Sequence, residues 1–147
     1  MENNLSIVTM TKEHVLDVYN IEQELISVPW SLKLLEDLVN QDNVIAKVLL
    51  LNNKVIGYYS FYNICGEANI NNIAVKSFYH GLGFGNKLMQ DIMEECEKNN
   101  ILDITLEVAA DNRIALSLYK KFGFVTEGVR RGYYNNKVDA LIMWKRN

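Results

Sequence analysis

The sequence predicts an α/β (α+β) domain with a mixed, mostly antiparallel central sheet and helices on both of its faces. Strand and helix patterns follow one another in the order β-α-α-β-β-β-α-β-α-β-β. A tight hairpin at residues 52–54 makes its two strands antiparallel neighbours, whereas the strand–helix–strand crossover that starts at residue 67 predicts a parallel pair. The 147 residues contain no repeat, linker or low-complexity segment, so we expect one domain over residues 1–147.

The first third of the chain predicts one strand and two helices. Residues 5–10 form the strand and residues 11–26 form the first helix. Pro29, the only proline, disfavours helical geometry at the residue before it and therefore ends this helix. Ser31 is placed to cap a second, short helix at residues 32–40.

The middle of the chain predicts three strands, a glycine loop and a long helix. β-Branched and aromatic residues at 44–51 and 55–62 predict the hairpin strands, and residues 67–75 predict the next one. Glycines at alternating positions 81, 83 and 85 follow, and then an amphipathic helix. Its apolar stripe is formed by Leu88, Met89, Ile92, Met93 and Cys96.

Strand, glycine loop and helix in this order form a cradle for a phosphate or pyrophosphate, because backbone N–H groups face the ligand without intervening side chains. The same glycines also suit a turn that merely caps a helix. A dinucleotide-binding Rossmann unit is a rival phosphate site, but its fingerprint requires glycine where this chain has Asn86. A Rossmann fingerprint also normally lies in the first βα unit with no antiparallel hairpin before it, whereas this chain has a hairpin before the glycine loop. Glu107 stands near the distance of the ribose-binding acid of that unit, so this alternative stays open.

The last third predicts a strand, a helix and a closing pair of strands. Residues 101–108 form the strand, and Asp111 or Asn112 caps the helix, whose apolar face is Ile114, Ala115, Leu118, Tyr119 and Phe122. Gly123 ends this helix. Strands at 124–128 and 138–145 flank a polar loop at 130–137.

Composition excludes several classes of protein. A net charge of −3 and a pI of about 5.4 argue against direct nucleic-acid binding through a basic face. No apolar run is long enough to span a membrane and the N-terminus is polar, so we expect a cytoplasmic protein without membrane contact. Cys65 and Cys96 lack the spacing of a zinc site or a disulfide framework, and we expect no bound metal.

These motifs resemble those of the GNAT N-acetyltransferase superfamily over essentially the whole chain. The pyrophosphate motif of the superfamily, Gln/Arg-x-x-Gly-x-Gly/Ala, is matched by residues 80–85, with His80 in place of Gln or Arg and Gly81 where Arg is frequent. Within the superfamily, the ribosomal-protein-alanine N-acetyltransferases (the RimI group) are most similar. The similar segments are 21–23, 29–31, 72–75, 106–108, 112, 118–119, 130–134 and 139–143.

The resemblance implies a GNAT-type sheet and acetyl-CoA as co-substrate. It implies cofactor contacts from the strand before the loop, from the loop and from the helices that follow: Ile73, Ala74, Val75, Gly81, Leu82, Gly83, Phe84, Gly85, Asn86, Asn112 and Tyr119. A strand that splays from its neighbour exposes N–H groups, and the amide of Val75 is the candidate that polarises the thioester carbonyl. Asn112 either bonds the cofactor or only caps its helix.

The resemblance also makes Glu107 the general base and Tyr119 the general acid. About a tenth of an α-amino group with a pKa near 8 is neutral at pH 7, against less than a thousandth of a lysine, so an N-terminal acceptor leaves the base a modest task. The alternative for Glu107 is an ion pair with a neighbouring Lys or Arg, which a carboxylate inside an apolar strand favours less than a functional role. Without the resemblance, Tyr119 would be interpreted as a core residue.

The acceptor is expected between the loop at Trp30 and the tail with Tyr133 and Tyr134, with Glu22 facing a basic acceptor residue. Trp30 is equally suited to packing in the core. The resemblance implies an extended protein N-terminus that begins with alanine, that of a small-subunit ribosomal protein, bound by a monomer or weak dimer. Arg130 and Arg131 are unusual beside a basic acceptor and instead suit contacts with the sheet or with cofactor phosphates.

Two other functions stay open on the sequence. The same fold acetylates polyamines, lysine or other small amines, and it also occurs as a non-catalytic CoA-binding module. An intact base and acid pair argues against the non-catalytic module, because a protein that only binds has no need of either group.

Overall fold

Seven strands form one sheet in the order β1-β2-β3-β4-β5-β7-β6 in the computed structural model, which describes residues 4–26, 28–134 and 137–146 and leaves the side chain of Tyr134 undescribed. The strands are β1 (Leu5–Thr9), β2 (Val44–Leu51), β3 (Lys54–Ile64), β4 (Glu67–Val75), β5 (Asp103–Ala109), β6 (Val125–Tyr134) and β7 (Val138–Lys145). The helices are α1 (Val15–Leu25), α2 (Leu32–Leu38), α3 (Phe84–Lys98) and α4 (Arg113–Lys121), with short 3₁₀ turns at Lys12–His14 and Ser77–Tyr79. Within the described ranges β4 and β5 form the one parallel pair, so the predicted fold class is confirmed.

Two predicted elements differ from the structure. The first helix begins later, because the Thr11 N–H donates to Nδ1 of His14 at 3.0 Å and a 3₁₀ turn precedes α1. The polar loop predicted at 130–137 was wrong over its first part, since β6 continues through Tyr134 and pairs with β7 from Arg130↔Ala140 to Tyr134↔Val138. Polar residues at this position stand on an outer strand of the sheet, where their side chains reach solvent.

Apolar side chains form a core on each face of the sheet. On one face, the predicted stripe of α3 is largely buried against β3, β4, β5 and β7, and Tyr119 of α4 joins it. On the other face, α1 and α2 pack their buried residues Val15, Val18, Ile21, Leu35 and Leu38 on the sheet residues Ala46, Val48, Tyr58 and Ala74. None of the described residues of β5, β6 or β7 belongs to this second core, so the helices leave that end of the sheet face open.

Two irregularities of β4 open the centre of the sheet. Its pairing with β5 ends at Asn69↔Thr105, although both strands continue, so their facing edges are free of each other beyond that point. Its register against β3 passes from Phe61↔Ile70 to Ser60↔Asn72, which leaves Asn71 as the extra residue of a bulge. The bulge exchanges the two faces of the strand, so Asn72 and Ala74 point to the α1 side.

Candidate active site

The splayed strands separate two adjoining hollows that meet at their common edge. A groove of about 820 Å³ lies on the open sheet face, and a smaller cavity of about 120 Å³ lies between β4, β5 and α4. Residues that line both are Ile26, Ile70, Asn71, Asn72, Leu106 and Glu107. We call this set the junction, because a group entering from the groove meets there a group held in the cavity.

Glu107 is the one ionisable side chain that lines both hollows among the described residues. Strand alternation directs Leu106 and Val108 into the core and Glu107 to the open face, where one third of its side chain is exposed (33%). Its Oε1 forms an ion pair with Nε of Arg130 at 3.0 Å, and the Arg130 guanidinium lies 5.7 Å from the ring centre of Tyr133. The alternative of an Arg partner for Glu107 is therefore realised, and the pair lies in the groove itself.

The groove has aromatic walls and a polar floor. Trp30 and Val28 of the α1–α2 connection line one side, and Arg130 and Tyr133 of β6 line the other. The floor continues along β4, β5 and β7 through Asn69, Asn71, Thr105, Ile142 and Trp144. Trp30 thus lines the groove, while its partly buried side chain also packs on the second core.

Tyr119 and Asn112 both line the smaller cavity. Tyr119 is 7% exposed and its ring centre lies 6.0 Å from that of Phe124, so the ring is part of the core and also reaches the cavity. Asn112 is the residue that caps α4, because its Oδ1 accepts from the N–H of Ala115 at 3.2 Å. Ile73 of β4 lines the same cavity, whereas Ala74 and Val75 are buried at the end of that strand.

The glycine loop leaves its backbone open to solvent at the start of α3. Gly81 and Gly83 have φ values of 78° and 85°, a conformation that other residues rarely adopt, and a side chain at either would point into open space. Gly83 is the N-cap of α3, whose first-turn N–H groups have no partner within the helix. A Cβ on Gly85 would lie 3.3 Å from Leu118, so the third glycine lets α3 approach α4 closely.

Three neighbouring side chains shape this loop. Nε2 of His80 donates to the carbonyl of Val75 at 2.5 Å, so the residue that departs from the family motif ties the loop to the end of β4. Oδ1 of Asn86 accepts from Nζ of Lys121 at 2.9 Å, which brings a cation to the start of α3. Phe84 packs its side chain on the core, whereas Leu82 is exposed.

Glu22 lies away from solvent, with 1% of its surface exposed. Oε1 accepts from the N–H of Trp30 at 2.6 Å, and Oε2 accepts from Nδ2 of Asn72 at 3.1 Å and from the hydroxyl of Tyr58. Burial, followed by the neighbouring Glu22, raises the pKa of Tyr58 well above its ordinary value. Glu22 was expected to face a basic acceptor residue, but here its oxygens are occupied by donors of the protein.

Several residues of the groove and the junction were not identified from the sequence. Asn71 and Thr105 lie in strands whose apolar neighbours dominate the pattern, and Trp144 stands near the end of the chain. The available signal was the pair of adjacent polar residues at 71 and 72, two asparagines within one predicted strand. Of the predicted acceptor residues, Trp30 and Tyr133 line the groove, and the side chain of Tyr134 lies outside the described part.

Metal-ligating and membrane features were searched over the described ranges. No group of three or more His, Cys, Asp or Glu residues there is arranged to hold a metal ion. In the same part of the chain, the helices are all too short or too polar to cross a bilayer. Cys65 and Cys96 are both free thiols, and burial raises the pKa of Cys96 to about 11, as suits a core residue.

Comparisons with known proteins agree with this geometry. The family model described as "Acetyltransferase (GNAT) family" matches residues 15–124. A [ribosomal protein bS18]-alanine N-acetyltransferase of Escherichia coli K12 is 34% identical over 129 residues, which cover 85% of this chain and 86% of that protein. A Haemophilus influenzae protein of the same name is 33% identical, with coverages of 86% and 88%.

Solved structures give the same result over nearly the whole chain. The crystal structure of the ribosomal-protein-S18-alanine N-acetyltransferase from Escherichia coli superimposes with a TM-score of 0.89 at 31% identity, covering 97% of this chain and 94% of that one. The structure of Ard1 from Thermoplasma volcanium also gives a TM-score of 0.89, at 28% identity and 97% coverage of both chains.

Proposed function

The chain belongs to the acetyltransferase (GNAT) family, and from this premise we propose that it transfers the acetyl group of acetyl-CoA to the N-terminal alanine of a ribosomal protein. The acceptor follows from the relatives of Escherichia coli and Haemophilus influenzae, whose names state this activity and which this chain matches over most of their length. The observation that carries the proposal is the junction, where an open groove suited to a peptide ends at Glu107. Such an acceptor also implies that the enzyme acts in the cytoplasm.

On the acceptor side, an extended N-terminus lies between the walls formed by Trp30 and Tyr133, with its α-amino group at the junction. Glu107 is the general base in this proposal and takes a proton from the α-ammonium, directly or through a water. Its partial exposure lets that proton pass on to solvent. The task suits a carboxylate, because an α-ammonium with a pKa near 8 gives up its proton far more readily than a lysine does.

On the other side, acetyl-CoA supplies an acetyl group that is activated as a thioester. Backbone N–H groups of residues 81–86 and the nearby Lys121 hold its pyrophosphate, and the free edge of β4 at residues 73–75 holds its pantetheine arm. The amide of Val75 polarises the thioester carbonyl. Asn112 borders the smaller cavity together with Tyr119. Tyr119 donates its phenolic proton to the departing thiolate.

Thiol release from acetyl-CoA with two acceptor peptides tests the proposal. One peptide has a free N-terminal alanine, and the other has the same sequence with a blocked N-terminus and an internal lysine. We expect turnover of the free peptide alone. Turnover of the blocked peptide alone would move the acceptor to lysine. If neither peptide reacts while acetyl-CoA still binds, the acceptor is a small amine or the protein only binds CoA.

A further inference from the structure

Glu22 is a buried carboxylate to which the proposed reaction assigns no role. None of the ion pairs among the described residues includes it, so hydrogen-bond donors take the place of a cation. A carboxylate removed from water is costly unless such donors surround it. An apolar residue would avoid that cost on the buried face of α1, and the contacts of Glu22 indicate what it does instead.

Its three donors come from three different parts of the site. The N–H of Trp30 belongs to the wall of the groove, Nδ2 of Asn72 belongs to the junction, and the hydroxyl of Tyr58 lies on β3 behind them. Tyr58 is also close enough to Tyr119 for the two phenols to interact electrostatically. Asn72 reaches Glu22 because the bulge at Asn71 turns it to the α1 side.

Glu22 holds the connection that carries Trp30 through both its backbone and its side chain. The backbone carbonyl of Glu22 accepts from the N–H of Ile26 at 2.9 Å and ends α1, while its side chain holds Trp30 eight residues further on. Pro29 has no N–H, so Trp30 carries the first backbone donor after the proline. One residue thus both closes the helix and fastens the loop that follows it.

We propose that Glu22 is a positioning residue that fixes the Trp30 wall of the groove against the junction and thereby controls how well the acceptor binds. The inference rests on the proposed function for the acceptor, whereas the seating of Trp30 is a property of the free protein. Glutamine at this position offers one acceptor oxygen and an NH₂ group, which would face the donors of Tyr58 or Asn72. Aspartate is shorter by about 1.5 Å and cannot reach all three donors at once.

The first test measures Trp30 without any activity. In a Trp144→Phe background Trp30 is the only tryptophan, and its emission and quenching by acrylamide report the exposure of the indole. We expect Glu22→Gln to shift the emission to longer wavelength and to increase quenching. Glu24→Gln is the matched control, because it makes the same change of charge on the exposed side of α1 and retains an acceptor for Ser77. Unchanged Trp30 emission in Glu22→Gln overturns the proposal.

The second test separates positioning from a general loss of structure. Loss of a hydrogen bond to a charged group predicts that Glu22→Gln raises KM for the alanine peptide about 10–100-fold, with KM for acetyl-CoA unchanged. Trp30→Ala keeps the backbone N–H but removes the indole. In that background Glu22→Gln should therefore have no further effect on KM for the peptide. Equal increases of KM in both backgrounds would show that Glu22 does not act through Trp30.

The role of Glu22 can still be tested if Glu22→Gln does not fold or if the wild-type protein is inactive on alanine peptides. If Glu22→Gln does not fold, Glu22→Asp keeps the charge, and its Trp30 emission should shift in the same direction; an unshifted emission overturns the proposal. If the wild-type protein acetylates no alanine peptide, the proposed function fails, and the emission measurements alone decide the role of Glu22.

Discussion

The face of the sheet that carries α1 and α2 has two halves built from the same alternation of residues. Over β1 to β4 the inward residues are buried under the two helices and form a core. Over β5 to β7 none of the described helices covers the face, and the residues at equivalent positions are Thr105, Glu107, Ile142 and Trp144, which form the floor of the groove. The candidate site therefore lies on the part of the sheet face that α1 and α2 do not cover. The same alternating strand pattern forms a core under the helices and the floor of a groove beyond them.

Glu22 and Glu107 differ in exposure in the same way as the two halves of the sheet face. Glu22 in the covered half is 1% exposed and its oxygens are fixed by three donors. The side chain of Glu107 in the open half is 33% exposed and has one ion pair, with a partner that is itself 56% exposed. Burial therefore suits Glu22 to holding structure, whereas exposure leaves Glu107 able to exchange a proton.

Removing the charge of Glu107 should give the largest effect and tests whether this exposed carboxylate acts as the base. We expect Glu107→Gln to lower kcat about 10²–10⁴-fold, because a general base contributes on this order to a proton transfer. Thermal unfolding should stay near that of the wild type, since the side chain lies on the open half. The measurement is thiol release at saturating alanine peptide, together with the melting temperature.

Glu97→Gln is the matched control for this change, since Glu97 is exposed on α3. It should leave kcat unchanged. Near-normal turnover of Glu107→Gln would exclude Glu107 as the base. A large fall of its melting temperature would show that residues of the open half stabilise the fold as much as those of the covered half.

The covered half should respond in the opposite way. Leu35 of α2 is 1% exposed, and we expect Leu35→Ala to lower the free energy of unfolding by about 2–5 kcal/mol. Kinetic constants of the molecules that remain folded should change little. Denaturant unfolding measures the first effect, and Leu34→Ala, at a residue that is 52% exposed on the same helix, is the control that should lose far less. Equal losses in both variants would contradict the assignment of the core.

Tyr119 combines the two roles, because it belongs to the buried core and also lines the smaller cavity. We expect Tyr119→Phe to lower kcat about 10²–10³-fold and to leave acetyl-CoA binding intact. The effect lies toward the lower end of the range for an acid catalyst, because a thiolate is already a fair leaving group. Tyr62→Phe is the control, and the same kcat in Tyr119→Phe as in the wild type would exclude an acid role.

The sequence predicted the elements better than their spatial relations. The glycine loop and the helix with Tyr119 follow from local patterns, because φ preferences and helical spacing act within a few residues. The bulge at Asn71 and the end of β4–β5 pairing at Asn69 depend on strands distant in the sequence. The contact of Asn72 with Glu22 follows from that bulge, and Glu22 is buried, whereas from the sequence it was expected to face a basic acceptor residue.

Substitution of Arg130 should give the smallest effect, and it tests whether this side chain hinders binding of the acceptor in the groove. Its pair with Glu107 is largely exposed, and such pairs contribute about 0.2–1 kcal/mol, which limits any change of binding to about five-fold. In the proposed reaction the α-ammonium of the acceptor takes the place of this guanidinium beside Glu107, so we expect Arg130→Ala to lower KM for the alanine peptide within this limit, with kcat unchanged. Arg131→Ala, at the adjacent exposed residue of β6, is the control and should leave KM as it is. A rise of KM in Arg130→Ala would mean that the arginine contacts the acceptor, and a fall of kcat would mean that it orients Glu107.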